Sequence, residues 1–150
     1  DHAKDKRLAV IDHIEKLKKM EPWYAFAEKV RAGEPAWVTM VDYTIEGDSI
    51  FYYLHYDGTE FLYVKDTTRD CYGDHVYWDD KFTKFYEFRE KNDKGVTVYS
   101  VVLSNCEITS MEHATEVFWE VYEEQENGEF DAETIEYQRF PLTVVTAGEP

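Results

Sequence analysis

The densest chemistry in this chain lies in the segment DTTRDCYGD, residues 66–74. Carboxylates at Asp66, Asp70 and Asp74, with hydroxyls at Thr67 and Thr68, offer several oxygen ligands to a hard cation such as calcium. The ligand periodicity and closing glutamate of an EF-hand are missing. The simpler reading is a solvated turn, in which Arg69 pairs locally with Asp70 and Gly73 allows the chain to reverse. Asp79 and Asp80 extend the acidic patch and suit a solvated loop. Calcium is the one cofactor this segment suggests.

Cys71 sits inside that loop and Cys106 lies far from it. Neither has the CxxC partner or nearby histidine that zinc needs. An oxidising compartment would join Cys71 to Cys106, and a reducing one would leave two thiols. The histidines, His2, His13, His55, His75 and His113, are scattered and form no HExxH or paired-ligand spacing. Among 32 acidic residues, paired carboxylates arise by chance, and no pair stands in an apolar setting that would separate two pKa values. There is no GxSxG, P-loop or GxGxxG motif. With no recognisable catalytic motif, the expectation is a protein that binds rather than one that catalyses.

The aromatic residues give the second candidate surface. The chain carries 12 Tyr, 9 Phe and 4 Trp, four of them between Ile50 and Tyr56. On an extended strand, Phe51 and Tyr53 fall on one face, and Tyr52 and Tyr56 on the other. One face must pack on helices. The other can present a binding surface, for which Phe51, Tyr52, Tyr53, Tyr56 and Tyr63 are the candidates, since tyrosine is rigid, large and polar at its tip. Cross-strand aromatic pairing explains the same residues without any partner.

These groups need elements to hold them. Leu8, Ile11, Ile14 and Leu17 recur at helical spacing, which predicts a helix from Lys4 to Met20. Pro22 starts a second helix, with Trp23, Phe26, Ala27 and Val30 on one face, capped by Gly33. The period then changes to two. Strands are expected at 37–45, 50–56 and 61–64, with Asp57-Gly58 as a hairpin turn. Two more follow at 85–89 and 96–103, separated by Asn92-Asp93-Lys94-Gly95. Ser110 is placed to cap a helix from Met111 to Glu124, although Val117, Phe118, Trp119 and Val121 would also suit a strand. Residues 142–145 suggest a late strand, with Ala147 to Pro150 loose. The sum is one α+β domain over 1–150: a helical segment at about 4–32, an antiparallel meander at about 36–104, and a helix with tail at about 110–150, the helices on one face of the sheet.

The net charge of −16 argues against nucleic acid or an anionic membrane surface as partner. It leaves solubility, a basic protein partner, or cation binding. The longest apolar runs are only a few residues, too short for a transmembrane span.

From Phe26 to Asp74 the chain resembles a family of small bacterial proteins, described as domain of unknown function 4362. The matching elements are Val41-Asp42-Tyr43-Thr44-Ile45-Glu46-Gly47-Asp48-Ser49-Ile50 and Tyr56-Asp57-Gly58, with Phe26, Val30, Gly33, Leu54, Tyr63, Asp66, Asp70 and Tyr72-Gly73 around them. That family occurs in Bacillus-like bacteria, often in proteins described as lipoproteins. The resemblance implies an exported or cell-surface life in a Gram-positive bacterium, with a lipid anchor outside the given sequence. It implies no catalytic residues. The given sequence shows no leader and no lipidated cysteine near its start, which leaves the cytoplasm as the alternative location. The expected role is thus a non-enzymatic, exported or surface-associated binding domain. The alternative is a small acidic immunity or inhibitor protein that neutralises a basic toxin or nuclease.

Overall fold

Apolar side chains at every second position build the first sheet. The computed structural model describes residues 8–12, 20–43, 46–69, 77–126 and 141–149. They form two compact units, Asp1–Lys81 and Phe82–Pro150, of α+β class.

In the first unit, β1 (Leu8–Asp12), β2 (Ala36–Tyr43), β3 (Ser49–Tyr56), β4 (Phe61–Asp66) and β5 (Tyr77–Phe82) lie side by side in that order. β2, β3 and β4 are the expected antiparallel meander. Ala36, Val38 and Met40 share one face of it with Leu54, Tyr56, Phe61 and Tyr63, and all are buried. The chain turns from β3 to β4 through Asp57-Gly58. Asp57 Oδ1 accepts from the backbone N–H of Thr59 and of Glu60, each at 2.8 Å. Those bonds hold the Asp57 carboxyl below its ordinary pKa. Gly58 takes φ +100°, a conformation that L side chains rarely adopt.

The predicted first helix is corrected by this sheet. Leu8–Asp12 is a strand, running parallel to β2 with Leu8 opposite Thr39 and Asp12 opposite Tyr43. Leu8, Val10 and Ile11 fit both periods, and only pairing decides between them. β2 has β3 on one side, and its other edge would leave a row of unsatisfied N–H and C=O groups without β1. The flanking residues 4–7 and 13–19 lie outside the described residues. β1, α1 (Glu21–Arg31) and β2 form a β-α-β crossover, as parallel neighbours require. Their addition makes the sheet mixed rather than purely antiparallel.

Helix α1 meets its predicted limits. Pro22 stands in the first turn, and Trp23, Phe26 and Ala27 are buried. At its end Gly33 has φ +73°. Gly33 N–H donates to Val30 O at 3.0 Å, and Glu34 N–H to Lys29 O at 2.9 Å. This pair of bonds is the Schellman motif.

The second unit is built on a three-stranded antiparallel sheet, β6 (Lys84–Lys91), β7 (Thr97–Ser104) and β8 (Leu142–Glu149), with β7 central. Every residue from Tyr99 to Ser104 is buried, so both faces of β7 are covered. The β6–β7 turn is organised by Asn92, whose Oδ1 accepts from Lys94 N–H and Val96 N–H, both at 3.0 Å. β8 pairs with β7 as far as Glu149 opposite Thr97, with an irregularity at Val101/Val102. This corrects the loose tail expected at residues 147–149: β7 offers an open edge, and Ala147 is buried against it. Asp79 and Asp80 are likewise corrected from loop to strand, since they lie in β5.

Helix α2 (Met111–Glu126) settles the helix-or-strand alternative for helix. Ser110 Oγ accepts from His113 N–H at 3.0 Å, and Thr109 N–H donates to His113 Nδ1 at 3.1 Å. The two bonds resemble a capping box in which histidine takes the place of the usual Glu or Gln and accepts from Thr109, one residue before the cap, instead of from Ser110. Ala114 packs with Val102 and Ile108, joined by Tyr86, Phe88, Met111 and Val117.

Candidate binding surfaces

The five aromatic candidates do not form one exposed patch. Phe51, Tyr56 and Tyr63 are buried, and Tyr52 and Tyr53 are half-buried. The expected division of faces holds. Phe51 and Tyr53 stack at 6.2 Å between ring centroids beside Val41. On the opposite face Tyr52 approaches Tyr63 at 6.1 Å, and Tyr56 stacks on Phe61 at 4.5 Å. Most of this aromatic surface is therefore spent on sheet packing.

Tyr52 carries a distinct electrostatic setting. Burial, and then the charge of Asp42, push its phenol up to about 12, while Lys65 Nζ lies 5.8 Å from its ring centroid. Burial, with Tyr52 as a lesser cause, also raises Tyr63.

The acidic loop is described only to Arg69. Asp66 is 8% exposed and ends β4 opposite Phe51. Its Oδ1 accepts from the backbone N–H and the hydroxyl of Thr68, and Arg69 Nη1 reaches Oδ2 at 3.1 Å. Arg69 also covers the Phe51 ring at 4.6 Å. The Thr68 bonds, more than the Arg69 charge, hold the Asp66 carboxyl below its ordinary value. Arg69 thus pairs with Asp66, and the Asp70 pairing suggested by the sequence lies outside the described residues. Asp70, Cys71 and Asp74 lie outside the described residues. Among the described residues no cluster of three His, Cys, Asp or Glu side chains could hold a metal.

Asp66 is thus a turn lock with a pH signature. Asp66→Ala is expected to cost roughly 1–2 kcal/mol at neutral pH. Because its folded pKa is lowered, that stability is present above the ordinary carboxylate range. It is lost as pH falls through the folded value. Melting temperatures of the wild type and variant should therefore converge in acid. A gap that stays constant from neutral pH into acid would show that the carboxylate charge plays no part.

Cys106 is half-buried just past β7. Its backbone N–H donates to Ser104 Oγ at 3.0 Å, and the Ser104 hydroxyl donates to Cys106 O at 2.8 Å. His55 is exposed on β3 and stands between Trp37 on β2 and Leu62 on β4. Trp37 is 42% exposed and Leu62 is 37% exposed, so this row is an apolar patch of the first unit.

A second patch escaped the sequence reading. On α2, Phe118, Trp119 and Tyr122 are 38%, 52% and 40% exposed. Phe118 and Trp119 meet edge to face at 5.5 Å, as do Trp119 and Tyr122, while Phe118 stacks on Tyr122 at 6.4 Å. Helical spacing places Ala114, Val117 and Val121 on the packed face, Phe118 at its edge, and Trp119 and Tyr122 turned away from it. The signal available in the sequence was an aromatic stripe offset from the apolar one.

Among the described residues no helix is long and apolar enough to cross a membrane. A family model described as Domain of unknown function (DUF4362) matches residues 6–99, a wider span than the resembling segment 26–74. The match ends within β7, and α2 and β8 lie beyond it. No curated protein and no solved structure matches the chain.

Proposed function

For a chain that belongs to the DUF4362 family, we propose a non-enzymatic role as an exported or surface-associated domain that binds a protein partner. The observation that carries this reading is the exposed ring cluster of Phe118, Trp119 and Tyr122. Large aromatics depleted from ordinary surfaces are enriched at the cores of protein interfaces. The mutual ring contacts fix the cluster before any partner arrives, which lowers the ordering cost of binding. The exported location rests on the resemblance to lipoproteins, and a lipidation signal in the full-length gene would support it. Calcium remains a proposal for the 66–74 loop. A melting-temperature rise with millimolar calcium would support it, and no shift would discard it.

The test is capture by the immobilised chain from an extract of its own organism. The substitutions Phe118→Ser, Trp119→Ser and Tyr122→Ser together are expected to abolish capture of the specific partner while leaving the fold intact. Trp119 and Tyr122 project away from the Ala114 packing face, while Phe118 stands at its edge, so the change in melting temperature should come mainly from Phe118→Ser and be small for the other two. Equal capture by wild type and variant would remove α2 from the binding role.

The alternative, an acidic inhibitor of a basic toxin or nuclease, is favoured by charge distribution. Residues 95–138 hold eleven acidic side chains and no lysine or arginine. An adjacent toxin gene would favour it.

A further inference from the structure

We infer that the aromatic face of α2, with the groove beside it, receives a cationic amphipathic segment of a protein partner. The inference rests on the binding role above and names the chemistry of what is bound. Three features of one helix carry it.

The first is shape. Phe118 joins Met111 and Ala114 of α2 with Pro141, Leu142 and Thr143 in lining a groove of about 290 Å³. The exposed rings of Trp119 and Tyr122 lie beside Phe118. The apolar surface thus runs from a concavity onto a ridge. That suits a partner with one continuous apolar side, such as a helix in a groove.

The second is charge. α2 contains Glu112, Glu116, Glu120, Glu123, Glu124 and Glu126, and neither lysine nor arginine. At 100° per residue, Glu112, Glu116 and Glu123 fall within about 60° of Trp119 around the helix axis. These glutamates border the Trp119 ridge on the side away from the groove, so a segment lying across Phe118, Tyr122 and Trp119 meets them with the polar residues just beyond its apolar side. Lysine and arginine there gain charge complementarity, and acidic side chains are repelled.

The third is the indole. Among the described residues Trp119 is the most exposed of the large hydrophobic side chains, and tryptophan is the best ring for a guanidinium or ammonium group to stack upon. These features also argue against a second copy as occupant. Two such faces brought together would oppose one row of glutamates to another.

The experiment uses the full chain and a labelled synthetic helical peptide of leucine and arginine, about 14 residues or roughly four turns long. Its controls are a scrambled peptide of the same composition and a leucine–glutamate peptide. Anisotropy titrations are run at low and high salt. The wild type is expected to bind the amphipathic cationic peptide, and the scrambled one at least about tenfold more weakly. Phe118→Ser with Trp119→Ser should weaken binding by about tenfold. Glu112→Gln, Glu116→Gln and Glu123→Gln together should do the same and flatten the salt dependence. Trp37→Ser, on the other exposed patch, should leave binding unchanged. Circular dichroism melts confirm that every variant is folded.

Equal affinity for the scrambled peptide, with no effect of the aromatic substitutions, would reduce the result to general charge attraction and overturn the inference. Aromatic-dependent binding of the leucine–glutamate peptide would also overturn it while leaving α2 a binding surface. Sedimentation showing a dimer that dissociates on Trp119→Ser would replace the cationic partner with a second copy.

Discussion

Trp23→Ala is expected to destabilise the first unit by roughly 3–5 kcal/mol, the range for emptying a large aromatic site in a core. Trp23 is 0% exposed, and its ring lies 5.4 Å from that of Phe26 on the same helix. α1 sits in the crossover between β1 and β2, so its packing holds a parallel strand pair that no short turn could join. Loss of the indole removes apolar burial and leaves a cavity that the Schellman-capped helix can close only by shifting. Trp37→Ala provides the control. The same residue type is 42% exposed there, and its replacement should change stability by no more than about 0.5 kcal/mol. Urea unfolding of the two variants checks the contrast. Similar midpoints for both would show that α1 does not anchor the unit.

Alkali is expected to unfold the first unit, and Tyr52 and Tyr63 are the reason. Below pH 10, the ordinary phenol value, both rings are protonated in the folded and unfolded chain. In that range pH has no lever on stability through them. Above it the unfolded chain releases protons that the fold retains, because Tyr52 is pushed up to about 12 and Tyr63 is raised as well. The unfolded state then binds fewer protons than the native state, so stability falls as pH rises. Asp42 adds to the effect by opposing a second negative charge beside Tyr52. Tyr52→Phe with Tyr63→Phe should move the alkaline unfolding midpoint to higher pH. Tyrosinate absorbance should show these phenols titrating only as the fold is lost. An unchanged midpoint in the double variant would show that other groups drive the transition.

Much of the architecture was legible because its signals are local. Asp57-Gly58 and Asn92 through Gly95 carry their turn geometry in their own side chains and φ angles. Pro22 and Gly33 bracket α1, and Ser110 caps α2, through bonds that span only a few residues. β1 and the end of β8 were not legible. Each is held by hydrogen bonds to a strand distant in sequence, and residues 8–12 satisfy a helical pattern almost as well as an extended one. The candidate sites divide in the same way. Asp66 was picked out by its oxygen-rich surroundings, and its neighbours Thr68 and Arg69 are local. The α2 rings were read as ambiguous between helix and strand, so their shared outward face stayed hidden.

The sequence by itself determined the charge, the absence of known catalytic motifs, the turns, the caps and the aromatic strand, since composition and short-range bonding need no distant partner. Only the tertiary structure decided which aromatics are buried. Phe51, Tyr56 and Tyr63 are enclosed, while Trp37, Phe118, Trp119 and Tyr122 remain exposed. The physical reason is that burial depends on what lies across from a residue, and an aromatic ring is equally suited to a core or to a surface that awaits a partner.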